Sequence, residues 1–266
     1  MDTKITVTVL TVSDLHQSGP LYHALENAVI KHSPDIVACV GDVIDGIQPD
    51  NRLDIPKPFC ARRLAALPVK EIIFVRGNHE SEQWQNFSAG WPHARRPMHA
   101  LHAEAFVQGP LVITGFPCFL GDEIPFRAGR PAVPNDPRNW FFAQAGAGKT
   151  YGEAARTLWL MHEPPRGTPL SSQVPAMEGN QEWNDAIEEF SPLLTISGHD
   201  HYAPQRTGRW HIKMGKTVCI NLGQSQQGPL HFALVQMDFD SDQPTLPTEI
   251  RVTAFPYRET LTIRPE

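Results

Sequence analysis

The sequence predicts an α/β protein, and three observations carry that expectation. Apolar, β-branched runs of strand length recur along the chain, helical spacings of apolar residues separate the early ones, and each early run ends in a cluster of Asp, His, Asn and Gly. Ile5–Val12 (Ile-Thr-Val-Thr-Val-Leu-Thr-Val) reads as a buried strand and runs into Ser13-Asp14-Leu15-His16. Leu21, Leu25, Ala28 and Val29 then mark one face of a helix between Gly19-Pro20 and Ser33-Pro34. A second strand, Ile36–Val40, leads into Gly41-Asp42-Val43-Ile44-Asp45-Gly46, and Cys60, Leu64 and Leu67 mark the next helix face. The third strand, Ile72–Val75, ends in Arg76-Gly77-Asn78-His79-Glu80. Polar clusters at successive strand ends are expected where ligands gather at the carboxyl edge of an α/β sheet.

Further on, Ala105–Val107 and Leu111–Gly115 form a strand pair around the turn Gln108-Gly109-Pro110. From about 117 to 147 the chain is crowded with Pro and Gly and lacks sustained periodicity, which predicts a lid or insertion. Ala143 to Thr150 resembles a Walker-type phosphate loop. Ala143 stands where the first Gly belongs, Asn139–Phe142 makes a poor strand, and the next strand ends in His162 rather than an acid, so a helix start near Gly148 is the better reading. Leu158–Met161 is the strand that presents His162. Trp183, Ala186, Ile187 and Phe190 fall on one helix face, and the strand Leu193–Ile196 delivers Ser197-Gly198-His199-Asp200-His201. Val218–Asn221, Phe232–Met237 and Ile250–Phe255 are expected to be antiparallel strands closing a second sheet. Asp238 to Asp242 has the acidic spacing of a calcium loop, but Gln243-Pro244 replaces the turn Gly, so a hairpin turn is expected.

Composition bounds the function. With 266 residues, 41% hydrophobic and 20% charged, the chain can bury a substantial core and is expected to be a single domain over 1–266. A net charge of −6 offers no electrostatic footprint for duplex nucleic acid. The four cysteines have no Cys-x-x-Cys spacing, which argues against a zinc knuckle or a dense disulfide framework and for a reducing compartment. No eighteen-residue apolar run and no hydrophobic leader ahead of Ile5 occur, so the expectation is a soluble cytoplasmic protein that engages no membrane.

Each polar cluster alone reads as a solvated turn, because Gly, Asp and Asn are the residues turns prefer. The ordered set does not. Asp14-x-His16, Gly41-Asp42-x-x-Asp45, Gly77-Asn78-His79-Glu80, the strand-terminal His162 and Gly198-His199-x-His201 together resemble the calcineurin-like metallophosphoesterase superfamily, over well more than half of the chain. The resemblance implies two mixed β-sheets packed as a sandwich with helices on both outer faces. It also implies two divalent metal ions, the first held by Asp14, His16 and His201, the second by Asn78, His162 and His199, with Asp42 bridging them. Carboxylate and amide oxygens mixed with imidazoles suit Mn²⁺ first, with Fe or Zn²⁺ as alternatives. A metal-bridging hydroxide would attack a phosphate ester, His79 would protonate the leaving oxygen as general acid, and Asp45 would orient His79. For Asp45, a turn or helix-capping carboxylate is the competing reading.

Within the superfamily, His162-Glu-Pro-Pro-Arg-Gly-Thr with Gly179 and Trp183 looks more like the small phosphodiesterase branch. Serine/threonine phosphatases carry Arg after Gly-Asp-x-x-Asp, where this chain has Gly46, and repair nucleases want a basic track that only Arg95-Arg96 and Arg127–Arg130 could begin to supply. The expected substrate is therefore a phosphodiester of a small molecule or nucleotide. A phosphomonoesterase is one alternative. A non-catalytic protein-binding scaffold is another, disfavoured because all seven ligand positions and His79 are filled. Asn221-Leu222-Gly223-Gln224 resembles a late segment near the site in this superfamily. His23, His32, His93, His99, His102, His211 and His231 are read as surface or core residues, with His99 and His102 the hardest to separate from the site.

Overall fold

Alternation along the strands builds the architecture, because successive side chains of a strand point to opposite faces. In a computed structural model describing residues 4–45, 57–80, 98–101, 104–116, 157–171, 177–225, 228–242 and 245–265, the three early strands are β1 (Lys4–Val12), β2 (Ile36–Val40) and β3 (Glu71–Val75). Val7 and Val9, Ile36, Ala38 and Val40, and Ile73 and Val75 face the centre of the molecule. Their neighbours Leu10 and Val12, Val37 and Cys39, and Ile72 and Phe74 face outward, under helix α1 (Gly19–His32) and helix α2 (Lys57–Ala65). Both faces of these strands are therefore apolar, as parallel strands covered on both sides require.

The remaining strands are β4 (Met98–Leu101), β5 (Glu104–Gln108), β6 (Leu111–Phe116), β7 (Leu158–Met161), β8 (Leu194–Ser197), β9 (His211–Met214), β10 (Thr217–Asn221), β11 (Phe232–Asp240), β12 (Pro247–Phe255) and β13 (Glu259–Ile263). One sheet has seven strands in the order β13-β12-β11-β1-β2-β3-β4, the other six in the order β5-β6-β7-β8-β10-β9. Both are mixed: β1 to β4 run parallel beside antiparallel β11 to β13, and β6, β7, β8 and β10 run parallel beside antiparallel β5 and β9. Leu158 and Leu160 of β7 pack into the central layer against the first sheet, whereas Trp159 and Met161 turn outward onto Trp183, Ile187 and Phe190 of helix α3 (Gln181–Phe190). The result is the expected sandwich of two mixed sheets with helices outside. A short helix α4 (Ala203–Thr207) follows β8. Among the described residues no helix is long and apolar enough to cross a membrane.

Two expectations need correction. Val218–Asn221 does not join Phe232–Met237 and Ile250–Phe255 in one antiparallel sheet: β10 runs parallel to β8 in the six-stranded sheet, while β11 pairs with β1 and β12 in the other. Strand spacing alone does not say which long-range partner a strand finds. Leu67 lies beyond the end of α2 and reaches the same outer core from the turn that follows. His99, read as a surface or core residue, is on edge strand β4, paired opposite Ile73, with Nε2 2.9 Å from Glu71 Oε2. The expected lid at 117–147, the Walker-like stretch through Thr150, Gly46, His93, His102, Arg95-Arg96 and Arg127–Arg130 lie outside the described residues.

Candidate metal centre

The parallel strands β1, β2, β3, β7 and β8 all end beside one another, and the loops leaving them carry the polar clusters. The backbone there is bent into conformations that side chains ordinarily avoid. Asp14, His16, Asp42 and His199 have φ of 54°, 43°, 51° and 65°. Left-handed backbone at non-glycine residues costs free energy and concentrates at functional sites. Cross-loop hydrogen bonds hold these bends: Asp14 N–H donates to Gly41 O (3.0 Å), His16 N–H to Asp42 O (2.9 Å) and Gly198 N–H to His162 O (2.9 Å).

Seven side chains converge as a result. His16 Nε2 lies 3.1 Å from His201 Nε2, and His201 Nε2 lies 3.4 Å from Asp14 Oδ1. Alongside, Asn78 Oδ1 is 3.0 Å from both His162 Nε2 and His199 Nδ1. Asp42 stands between the two sets, with Oδ2 3.3 Å from His162 Nε2 and 3.9 Å from His16 Nε2. Asp14-His16-His201 and Asp42-His162-His199 are each compact enough to share one cation, and so is His16-Asp42-His79. Asp14, Asp42 and His162 are fully or almost fully buried.

Electrostatics in this cluster follow from burial opposed by neighbours. Burial pushes the Asp14 and Asp42 carboxyls up, but His201 beside the first and His162 beside the second outweigh it, and both are held below the usual carboxylate range. Burial works against a charged His162, yet Asp42 pushes that imidazole up to about 10. Burial holds His16 and His199 below the ordinary histidine value, while His201, though buried, is raised by its bond to Asp14.

The donor set fits divalent cations. His162 Nδ1–H donates to Val40 O (2.9 Å), which leaves Nε2 as the nitrogen aimed into the cluster. The facing Nε2 atoms of His16 and His201 can share at most one proton, and His16 Nδ1 is buried with no hydrogen-bond partner among the described residues. A cation between those nitrogens and the Asp14 carboxylate satisfies all three. Imidazole, carboxylate and amide oxygen without thiolate is a donor set for Mn²⁺, Fe or Zn²⁺.

The characteristic sequence of calcineurin-like phosphoesterases matches residues 7–203 of this chain. The chain belongs to the calcineurin-like phosphoesterase family. Solved structures share the family fold at low identity. A dimetal phosphatase from Danio rerio is 15% identical, with a TM-score of 0.59 over 98% of this chain and 99% of that one. TT1561 of Thermus thermophilus is 14% identical, with a TM-score of 0.56 over the same shares. GAP50, described as the anchor in the inner membrane complex of Plasmodium, is 10% identical, with a TM-score of 0.59 over 98% of this chain and 89% of that one. No curated protein matches the sequence.

His79 and Asp45 come together: His79 Nδ1 lies 2.7 Å from Asp45 Oδ1. Asp45 is thus a partner of His79. Its own N–H donates to Gln17 Oε1 at 2.9 Å. Two supporting residues escaped the sequence reading. For Gln17 nothing local in the sequence distinguishes it from a loop glutamine. Glu80 belongs to the Gly77-Asn78-His79-Glu80 motif but received no role. Its buried carboxylate accepts from Gly77 N–H (2.7 Å), Asp42 N–H (2.9 Å) and Ile44 N–H (3.0 Å), tying the loop after β2 to the loop after β3.

The glycines that precede Asn78 and His199 are required by the close packing of the cluster. A Cβ at Gly77 would overlap Asp42 Oδ1, and a Cβ at Gly198 would overlap Asp14 Oδ2, so each motif leaves room for a ligand from another. Asp200, between His199 and His201, turns away from the cluster and accepts the N–H groups of Tyr202 (3.1 Å) and Ala203 (2.9 Å) at the start of α4. Asn221 Nδ2 donates to Asp200 O (3.1 Å) and Leu170 O (2.8 Å), so the late segment buttresses the His199–His201 loop. His23 pairs with Glu26, His32 packs on Phe232 and Phe255, His211 packs on Trp210, and His231 Nδ1–H donates to Leu222 O.

Proposed function

We propose that the protein hydrolyses phosphodiesters of small molecules or nucleotides at a centre of two divalent cations, with Mn²⁺ first and Fe or Zn²⁺ as alternatives. The observation that carries this reading is the position of Asp42 Oδ2, 3.3 Å from His162 Nε2 on one side and 3.9 Å from His16 Nε2 on the other. Asp14, His16 and His201 would hold one cation, Asn78, His162 and His199 the other, and Asp42 would contribute to both. When bound, the two cations supply Lewis acidity toward water and the phosphoryl oxygens.

The chain's own residues then divide the remaining work. Asp45 Oδ1 accepts from His79 Nδ1–H and orients the ring. Nε2 is left to deliver a proton to the leaving oxygen, and the half-exposed position of His79 gives a leaving group access to it. Glu80 and Gln17 hold the backbone that carries Asp42 and Asp45. The fold itself does not separate catalysis from anchoring, since a dimetal phosphatase and an anchor protein share it. The filled ligand set and the His79–Asp45 pair favour catalysis. A reducing, cytoplasmic setting belongs to the same proposal and is supported by the buried thiols of Cys39 and Cys219, which form no disulfide.

The test is hydrolysis of bis-p-nitrophenyl phosphate by protein reconstituted with Mn²⁺, beside p-nitrophenyl phosphate and a chelator control. Chelator-sensitive turnover that favours the diester is expected. Preference for the monoester would turn the reading to a phosphatase, and no turnover of either ester with metal bound would refute catalysis on simple esters.

A further inference from the structure

The loops that leave β7 and β8 do more than present His162, His199 and His201. Beyond the ligands they enclose a hollow of about 800 Å³, lined by Arg166, Thr168, Glu178, Ala203, Arg206 and Arg209 among others. At about 3.6 Å per residue, Ala203 lies within about 7 Å of His201 along the chain, and Arg166 within about 14 Å of His162. The hollow and the metal centre are thus built on the same two loops. Among the described residues its wall carries three guanidiniums and one carboxylate, in a chain whose net charge is −6.

These guanidiniums sit on firmly held backbone. Arg166 N–H donates to Asn180 O (3.3 Å), Asn184 Nδ2 donates to Arg166 O (2.9 Å), and Thr207 Oγ1 lies 2.9 Å from Pro169 O, which ties one loop to the other. Arg166 is paired with Glu178 at 2.7 Å. Arg206 stands over the ring of Tyr202, its Cζ 5.5 Å from the centroid, and neither it nor Arg209 has a carboxylate partner among the described residues. Two exposed arginines lining one hollow, neither with a carboxylate partner among the described residues, beside a candidate phosphoester site, are an arrangement for an anion. The planar guanidinium fork matches phosphate oxygens in bidentate fashion.

We propose that this hollow binds a second phosphate of the substrate, so that the protein prefers phosphodiesters carrying a further phosphate group away from the scissile bond. This rests on the phosphodiesterase reading above. Arg206 and Arg209 supply the binding charge, Tyr202 positions Arg206, and the metal centre takes the diester itself.

The test compares kcat/KM of the Mn²⁺-loaded protein for a 5′-phosphorylated dinucleotide and for the same dinucleotide lacking that phosphate. Wild type is expected to favour the phosphorylated form by tenfold or more, and the double variant Arg206→Ala, Arg209→Ala to reduce that ratio to about one. A wild-type ratio near one, or a ratio that survives in the double variant, overturns the proposal. If no ester is turned over, the phosphodiesterase reading fails by itself, and the hollow is tested by calorimetric titration of inorganic pyrophosphate in the presence of chelator. Saturable binding lost in the double variant supports an anion site, and absence of binding to wild type overturns it. Thermal melting of the double variant, expected to match wild type because both arginines are exposed, excludes loss of fold as the cause.

Discussion

The Nε2 atoms of His16 and His201, from loops 185 residues apart in sequence, face each other at 3.1 Å. Two neutral imidazoles can make one hydrogen bond there, and two charged ones repel. A cation between them is the arrangement that uses both lone pairs.

Metal binding should therefore stabilise the fold. A ligand at a hundred times its dissociation constant adds about 2.7 kcal/mol, which for a chain of this size raises the melting temperature by about 5–10 °C. Differential scanning fluorimetry with Mn²⁺ and with chelator measures it, and coincident melting curves would remove the cation from this account.

Asp42→Asn and His79→Ala should separate ligand from proton donor. The first removes the charge placed between both ligand sets and should lower bound metal at both positions. The second should retain metal while slowing turnover by about 10²–10⁴-fold. Elemental analysis of the two purified variants decides. Loss of metal from His79→Ala would make His79 a ligand, as its proximity to His16 and Asp42 would allow.

The metal-free protein should lose stability as pH rises. Burial, then the charge of Asp42, pushes Glu80 up from 4.5 to about 8, and His162, buried but beside Asp42, is raised from 6.5 to about 10. Groups raised on folding stabilise fully below their unfolded values and cease to do so as pH passes their folded ones. Melting temperature in chelator should thus fall between about pH 4.5 and 10, first through Glu80 and then through His162. A cation beside Asp42 offsets the charge that raises both groups, so the metal-loaded protein should show a shallower slope. Equal slopes with and without metal would contradict this coupling.

Gly77→Ala should cost metal binding more than stability elsewhere in the fold. The added Cβ overlaps Asp42 Oδ1, and the backbone cannot retreat easily because Gly77 N–H is bonded to buried Glu80. Reduced metal content with native circular dichroism is the expected result. Wild-type metal content would show that the loop yields.

Local chemistry made much of this protein legible from sequence. β-branched runs such as Ile5–Val12 and the helical spacing of Trp183, Ala186, Ile187 and Phe190 report burial directly, because period-two and helical patterns are properties of adjacent residues. The order of the polar clusters pointed to the ligand set for the same reason: each motif is a few residues long. Tertiary structure alone decided that β10 joins β8 while β11 joins β1, since strand pairing is a contact between distant segments. It alone showed Glu80 accepting N–H groups of Asp42 and Ile44, and Gly77 and Gly198 making room for ligands of other motifs. It also gathered Arg166, Arg206 and Arg209 around one hollow. Each of these depends on where a folded backbone brings residues far apart in sequence, and no window of sequence contains both partners.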